Sequence, residues 1–384
     1  MRLLIAGGGT GGHIFPGLAV ARSLRARPDA PDLAWVGGHR GQEARIVPDA
    51  GIPLHRLVLR SLRSTGRDAH VVGDPVRLAL SVPQAGALLA RLRPAAVFTT
   101  GGYVALPIAV AAVPLGIPIV LWEGNVIPGR SVRAIARLVA IRTVSFEPTC
   151  RALAGGAPCY VTGTPIRDPS AIDRDEARRR LDVGTGIPVV LVFGGSQAVR
   201  RLNVAVEGAL PELARRCTVI HVTGDDGYAG ALAAREALPD DLRARYRPKP
   251  FLRDEMADAL VVADLVVGRA GSSTVAEVTA VGVPMVVVPY PHAAGHQRAN
   301  ARILVDAGAA LLIEDESFDG PALLAAAGAI LDDPSRRRAM ADASRALGRP
   351  AAADAVADLV LAAASRRPLP GPAEVDRRSR GVAA

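Results

Sequence analysis

Short apolar runs, glycine turns and amphipathic stretches alternate along the chain. Arg2–Ala6 reads as a brief buried strand that runs into glycines, and a helical pattern follows over about 16–27. Residues 33–36 predict the next strand and 95–99 another, followed by a helix around 106–113 and a strand at 117–122. Such alternation implies a parallel sheet wrapped by helices. The pattern restarts after Gly163-Thr164-Pro165. A strand is predicted at 188–193, a glycine turn at Gly194-Gly195-Ser196, and a helix from near Leu202. Residues 218–222, 265–267 and 285–288 are further buried strands. Two strand–glycine-turn–helix openings predict an α/β protein with two Rossmann-like parallel-sheet domains.

The expected division is a first domain at 1–162 and a second at 163–345, with the boundary near 160–168. Ala/Leu/Arg-rich helical sequence runs over about 321–365, and a helix at about 349–366 is a candidate to pack back on the first domain. The tail at 367–384, with Pro368, Pro370, Gly371, Pro372 and mixed charge, reads as flexible. The stretch 94–122 carries no charge and is long enough to cross a bilayer. Pro107, Pro114, Gly116 and Pro118 cut it into short pieces, so strand–helix–strand is the better reading and a transmembrane helix is rejected.

Length and composition sharpen this picture. A chain of 384 residues fits two domains, and 49% hydrophobic residues exclude a disordered protein. Aromatics at 3% argue against a base-stacking surface for single-stranded nucleic acid. The net charge of +9 invites a nucleic-acid reading, but Lys249 is the only lysine, an imbalance that a GC-rich genome produces. No nucleic-acid partner is expected. Cys150, Cys159 and Cys217 form no C-x-x-C pair, and an odd count without a framework fits a reducing compartment. No secretory signal is read at the start, because the apolar stretch 3–6 runs directly into glycines.

The strongest local signal is Gly7-Gly8-Gly9-Thr10-Gly11-Gly12-His13-Ile14-Phe15-Pro16-Gly17. Glycines let backbone N–H groups crowd around an anion, and the positive end of the following helix adds to the attraction. No acid ends the second strand, where Gly37-Gly38-His39-Arg40 follows Val36, so the dinucleotide fingerprint is poorly met. No lysine follows the glycines, which excludes a Walker loop. His13, at the mouth of the loop, reads either as a turn cap or as a general base near neutral pH. Gly101-Gly102-Tyr103 and Glu123-Gly124-Asn125 lie on the same carboxyl edge of the first sheet.

In the second half, a strand ends in Arg269, and Gly271-Ser272-Ser273-Thr274-Val275-Ala276-Glu277 then opens a helix. Such a start binds a pyrophosphate through N–H groups and hydroxyls, and Glu277 can accept both hydroxyls of a ribose. Gln297 and Asn300, three apart, share a helical face whose amides suit sugar hydroxyls. No His, Cys or carboxylate group has metal-ligand spacing, so neither a metal nor a cofactor is expected. Arg130, Arg133 and Arg137, with Arg142 beyond, read as a solvated face or as a contact for lipid phosphates. Residues 58–82 mix Val58, Leu59, Leu62, Val71, Val72, Val76, Leu78 and Leu80 with Arg60, Arg63, Arg67 and Arg77. Ordinary core helices give the same mixture, and so does a segment that docks at a membrane surface.

Taken together, Gly8 through His13, Gly194-Gly195-Ser196-Gln197, and Arg269 through Glu277 with His296-Gln297 resemble the lipid I N-acetylglucosaminyltransferase (MurG) family of peptidoglycan synthesis. The resemblance runs in consistent order from residue 2 to about 345. It implies a GT-B fold, with two Rossmann-like domains facing each other across a cleft. It also implies inverting transfer of N-acetylglucosamine from UDP-N-acetylglucosamine to the 4-hydroxyl of the muramoyl sugar of lipid I. By the same resemblance Thr10, Gly11 and Gly12 line the cleft, and His13 is the base. Asn125 and Gln297 touch the donor sugar, Arg167 and Ser196 hold the diphosphate, and Leu252 meets uracil through its backbone. Ser272, Ser273 and Thr274 hold phosphate, Val275 and Ala276 belong to the same substrate-binding stretch, and Glu277 takes the ribose. The implied location is peripheral, on the anionic cytoplasmic face of the cell membrane.

The chain departs from the family in having Trp122-Glu123-Gly124-Asn125 in place of His-Glu-Gln-Asn. The segment 251–256 is one residue longer than usual. Other readings are a different GT-B glycosyltransferase of glycolipids or natural products, a sugar-nucleotide epimerase, or a dinucleotide-binding oxidoreductase or regulator. The missing acid after Val36 counts against the last.

Overall fold

The computed structural model describes residues 1–39, 41–59, 73–153, 155–194, 200–253 and 255–382. The chain forms two compact units, Met1–Arg167 with Arg349–Ala384, and Asp168–Gly348.

The first unit begins β1 (Arg2–Ala6), α1 (Gly11–Arg25), β2 (Asp32–Gly37), α2 (Glu43–Asp49), β3 (Leu54–Arg56) and α3 (Gly73–Leu92). It continues β4 (Ala96–Thr99), α4 (Ala105–Ala112), β5 (Ile119–Glu123), α5 (Arg130–Ile135), β6 (Ile141–Val144), α6 (Glu147–Ala152) and β7 (Cys159–Val161). The seven strands are ordered β3-β2-β1-β4-β5-β6-β7, and every pairing is parallel. The order reverses between β1 and β4, the switch point beside which open α/β sheets bind ligands. There Leu3 pairs with Ala96 and Ala6 with Thr99, so the two strands end together.

Helix α1 starts at Gly11, five residues before the expected Pro16, which therefore lies inside it. Pro16 has no N–H for the Gly12 carbonyl, so the first turn is held instead by the His13 and Ile14 amides on the Thr10 oxygen. The helix presses on the sheet through Gly17, where a Cβ would collide with the buried Trp35 ring, and Trp35 Nε1 donates to the Gly7 carbonyl at 2.7 Å.

The second unit contains α7 (Arg174–Arg180), β8 (Val189–Phe193), α8 (Arg200–Arg216), β9 (Thr218–Val222), α9 (Asp225–Glu236), α10 (Asp240–Arg243) and β10 (Tyr246–Lys249). After these come α11 (Glu255–Val262), β11 (Leu265–Gly268), α12 (Ser272–Val281), β12 (Met285–Val287), α13 (His296–Asp306), β13 (Ala310–Leu312), α14 (Gly320–Leu331) and α15 (Pro334–Leu347). Its six parallel strands run β10-β9-β8-β11-β12-β13, with the switch point between β8 and β11. Strands such as Val189–Phe193 are buried along their whole length, as expected where helices cover both faces.

Helices α16 (Ala352–Ala364) and α17 (Pro372–Ser379) return to the first unit. Val356, Leu359 and Val360 of α16 enter the core with Ile5, Phe98 and Val120. The segment expected to be flexible thus carries a packed helix. Pro372 starts α17, Val375 is buried, and Arg349 holds Asp376 at 2.6 Å and Ser379 Oγ at 2.5 Å. Its polar composition concealed apolar anchors, Val375 and the partly buried Leu369, and an ion pair.

Two further expectations change. Arg142 is buried on β6, where its guanidinium donates to the Leu153 and Ala157 carbonyls, while Arg130, Arg133 and Arg137 are exposed. Cys150 on α6 and Cys159 on β7 form a disulfide, although their spacing suggested no pair. Cys217 remains a buried thiol, pushed up to about 12 by desolvation.

Candidate functional site

In the first unit, the β1 and β4 turns meet at the switch point. Thr10 is exposed at the N-cap of α1, and Gly11, Gly12 and His13 form its first turn. His13 Nδ1 lies 2.7 Å from the Thr100 carbonyl oxygen, and Thr100 Oγ1 donates back to the His13 carbonyl at 2.9 Å. The imidazole is half-buried, fixed in orientation, and placed at the carboxyl edge of the sheet.

The glycine turn was expected to cradle an external anion. Instead the chain supplies its own: the fully buried Glu43 accepts from Gly9 N and Gly38 N, both at 2.9 Å, and from the Tyr103 hydroxyl at 2.8 Å. Gly9 adopts φ +97°, a conformation that favours glycine. A Cβ at Gly8 or Gly41 would strike the Glu43 carboxylate. Tyr103 stays protonated, its pKa raised by burial and then by the Glu43 charge and hydrogen bond. The sequence alone does not reveal Glu43 as part of this turn, because it lies six residues beyond the end of β2. The second glycine cluster, Gly37, Gly38 and Gly41, was the available signal.

The Asn125 loop is built around another buried acid. Glu123 Oε1 accepts from Asn125 N at 2.8 Å and Asn125 Nδ2 at 3.1 Å, and Glu123 Oε2 accepts from Gly129 N at 2.8 Å. Trp122, where the resembled family has His, donates to the Gly163 carbonyl at 3.0 Å. Arg167 is exposed at the end of the first unit's leading segment.

In the second unit, β11 delivers the chain to α12 at the switch point. Gly271 is the N-cap and has no side chain to close the helix end. Ser272, Ser273 and Thr274 are half-buried in the first turn, Val275 is buried beneath them, and Ala276 and Glu277 are half-buried. The Ser273, Thr274 and Glu277 side chains have no hydrogen-bonding or ionic partner among the described residues. Desolvation pushes the Glu277 carboxyl up to about 7. A helix start led by glycine, hydroxyls in its first turn and a carboxylate without a partner among the described residues together suit an anionic, hydroxyl-bearing ligand.

Gln297 is tied to this entrance: its Oε1 accepts from Ala270 N at 3.2 Å and Tyr290 N at 2.9 Å, which leaves its NH₂ as the outward donor. Asn300, expected to share a sugar-facing role, is fully buried and donates to the Ala270 carbonyl at 3.1 Å. Arg269 is likewise turned inward, with Asp315 at 2.5 Å, the Val288 carbonyl at 3.1 Å and the Tyr290 ring beneath it. The Leu252 side chain belongs to the core, so only its backbone can meet a ligand. Ser196 lies outside the described residues. Among the described residues no His, Cys, Asp and Glu cluster could hold a metal ion.

Two all-parallel sheets, each opening at its switch point into a glycine turn or helix start, define the two-Rossmann architecture of the GT-B glycosyltransferases. Residues 3–141 match the glycosyltransferase family 28 N-terminal domain and residues 189–357 its C-terminal domain. A relative from Desulforudis audaxviator is 38% identical over 94% of this chain and 98% of its own, and is named UDP-N-acetylglucosamine--N-acetylmuramyl-(pentapeptide) pyrophosphoryl-undecaprenol N-acetylglucosamine transferase. The crystal structure of Acinetobacter baumannii MurG superposes with a TM-score of 0.75 at 28% identity, over 94% of this chain and 99% of that one. A putative UDP-N-acetylglucosamine 2-epimerase from Listeria monocytogenes, at a TM-score of 0.68 and 13% identity over 96% of this chain and 97% of its own, shares the fold alone. The chain belongs to glycosyltransferase family 28, and within it to the family of these N-acetylglucosamine transferases.

Proposed function

We propose that the chain transfers N-acetylglucosamine from UDP-N-acetylglucosamine to the 4-hydroxyl of the muramoyl sugar of undecaprenyl-pyrophosphoryl-MurNAc-pentapeptide, with inversion at the anomeric carbon. The observation that carries this reading is the amino end of α12, which starts at a glycine N-cap and carries in its second turn a carboxylate with no partner among the described residues. Backbone amides and the Ser272, Ser273 and Thr274 hydroxyls hold the diphosphate, joined by Arg167 and Ser196. Val275 and Ala276 complete the first turns, and Glu277 accepts the ribose hydroxyls. Uracil lies against the Leu252 backbone, and the sugar meets Gln297 and Asn125.

Thr10, Gly11 and Gly12 border the acceptor. His13 takes the proton from the attacking hydroxyl as the carbon–oxygen bond to UDP breaks, and the α12 amides stabilise the charge that builds on the leaving diphosphate. The acceptor is a membrane lipid, and the protein reaches it as a peripheral protein on the anionic cytoplasmic face. Supporting this are exposed Leu80 on α3, exposed Val110, Val113 and Leu115 on and after α4, and the exposed arginines 130, 133 and 137. No helix among the described residues is long and apolar enough to cross a membrane.

The test is transfer of labelled N-acetylglucosamine to a lipid I analogue in anionic vesicles, with other lipid acceptors and acceptor-free reactions as controls. Labelled disaccharide-lipid is expected. Product without acceptor, or with every acceptor alike, would refute the assignment.

A further inference from the structure

The turn after β1 and the turn after β4 are joined twice. His13 bridges them through Thr100, and Glu43 bridges them through Gly9 and Tyr103. We propose that Glu43 is a positioning residue for the transfer, a built-in anion that fills the cradle formed by the Gly9 and Gly38 amides and so sets the seat of His13. This rests on the reading of His13 as the base. Gly9 is four residues from His13 and Tyr103 three from Thr100, so Glu43 and His13 close one ring of contacts across the switch point. Glu43 also draws in Gly38 at the end of β2, which ties three loops to one carboxylate.

Glycine N–H groups arranged around a point attract an anion. With Glu43 there, the cradle is filled and negatively charged, and a nucleotide phosphate is repelled from it. The two glycine-bearing switch points of the chain are thereby made unlike: one carries its own carboxylate, and the other leads into a helix with no acid in its first turn.

Glu43→Ala in the full chain empties the cradle, and acetate is the probe that refills it. The wild-type chain is assayed first. The variant is expected to lose about 10–100-fold in kcat, as a displaced base would. Its affinity for UDP and its KM for the donor should remain within about twofold, since a shift of this seat leaves the second unit's amides untouched. Sodium acetate should restore kcat several-fold over sodium chloride of equal ionic strength. Wild-type kcat in the folded variant, or equal effects of acetate and chloride, overturns the proposal. Should Glu43→Ala not fold, Glu43→Gln has the same volume but sets an NH₂ against the Gly9 N–H. It is expected to show the same fall in kcat at unchanged UDP affinity, and wild-type kcat in it overturns the proposal. Should the wild-type chain transfer no N-acetylglucosamine, the functional reading fails separately. The cradle is then read from Tm, which acetate should raise above the chloride control in Glu43→Ala and not in wild type. No such difference overturns it.

Discussion

His13 Nδ1 sits 2.7 Å from the Thr100 carbonyl oxygen, a contact that spans the point where the strand order of the first sheet reverses. A carbonyl can only accept, so the neutral ring carries its proton on Nδ1, and Nε2 is the basic nitrogen. The partner is backbone, and it therefore holds the tautomer whatever side chain stands at position 100. His13→Ala is expected to cut turnover by about 10²–10⁴ and leave UDP affinity unchanged. Steady-state rates and a UDP titration check this, and undiminished turnover removes His13 from the proton transfer.

Glu277 sets binding against stability. Its carboxyl is raised from 4.5 to about 7 by desolvation. Below 4.5 both folded and unfolded chains are protonated. Between 4.5 and 7 the unfolded chain ionises first, so rising pH disfavours the fold, and the penalty is complete above 7. Glu277→Gln should therefore stabilise the protein at pH 8 by about 1–2 kcal/mol, a figure reduced for the side chain's partial exposure, and change nothing at pH 4. The same change should weaken UDP binding by about 1–3 kcal/mol. Thermal melts at the two pH values and a titration at pH 8 measure both. Unchanged UDP affinity would remove the ribose contact.

The Cys150–Cys159 bond closes a loop with a sequence separation of 9 in the first unit. By loop-closure entropy it contributes about 2–3 kcal/mol. Cys159→Ser should lower Tm accordingly, wild type in dithiothreitol should match the variant, and neither should alter UDP affinity. Melts that are the same with and without reductant would show that the two sulfurs are not bonded.

Local signals carried most of the architecture. Buried strands of four or five residues and glycine turns announced two parallel sheets, and Gly271 through Glu277 announced a glycine-led helix start because every part of it lies within one stretch of chain. What stayed hidden depends on residues brought together from a distance. Glu43 reaches Gly9 and Tyr103 across 34 and 60 positions, and Arg269 finds Asp315 across 46. Asn300 has the helical phase of Gln297, yet its side chain is consumed by the Ala270 carbonyl. Pro16 misled because a proline reads as the start of a helix, whereas the preceding glycines already carry its first turn.

Because α16 lies in the same core as β1, β4 and β5, the first unit is assembled from two stretches of chain separated by the whole of the second. During synthesis, Leu3, Ile5 and Phe98 emerge long before Val356 and Val360 arrive to cover them. The inserted unit, continuous from Asp168 to Gly348, can close on its own schedule while its neighbour waits with an apolar flank uncovered. A ribosome stalled between the two would carry one finished body and one sticky one, so chaperone demand should concentrate on that interval.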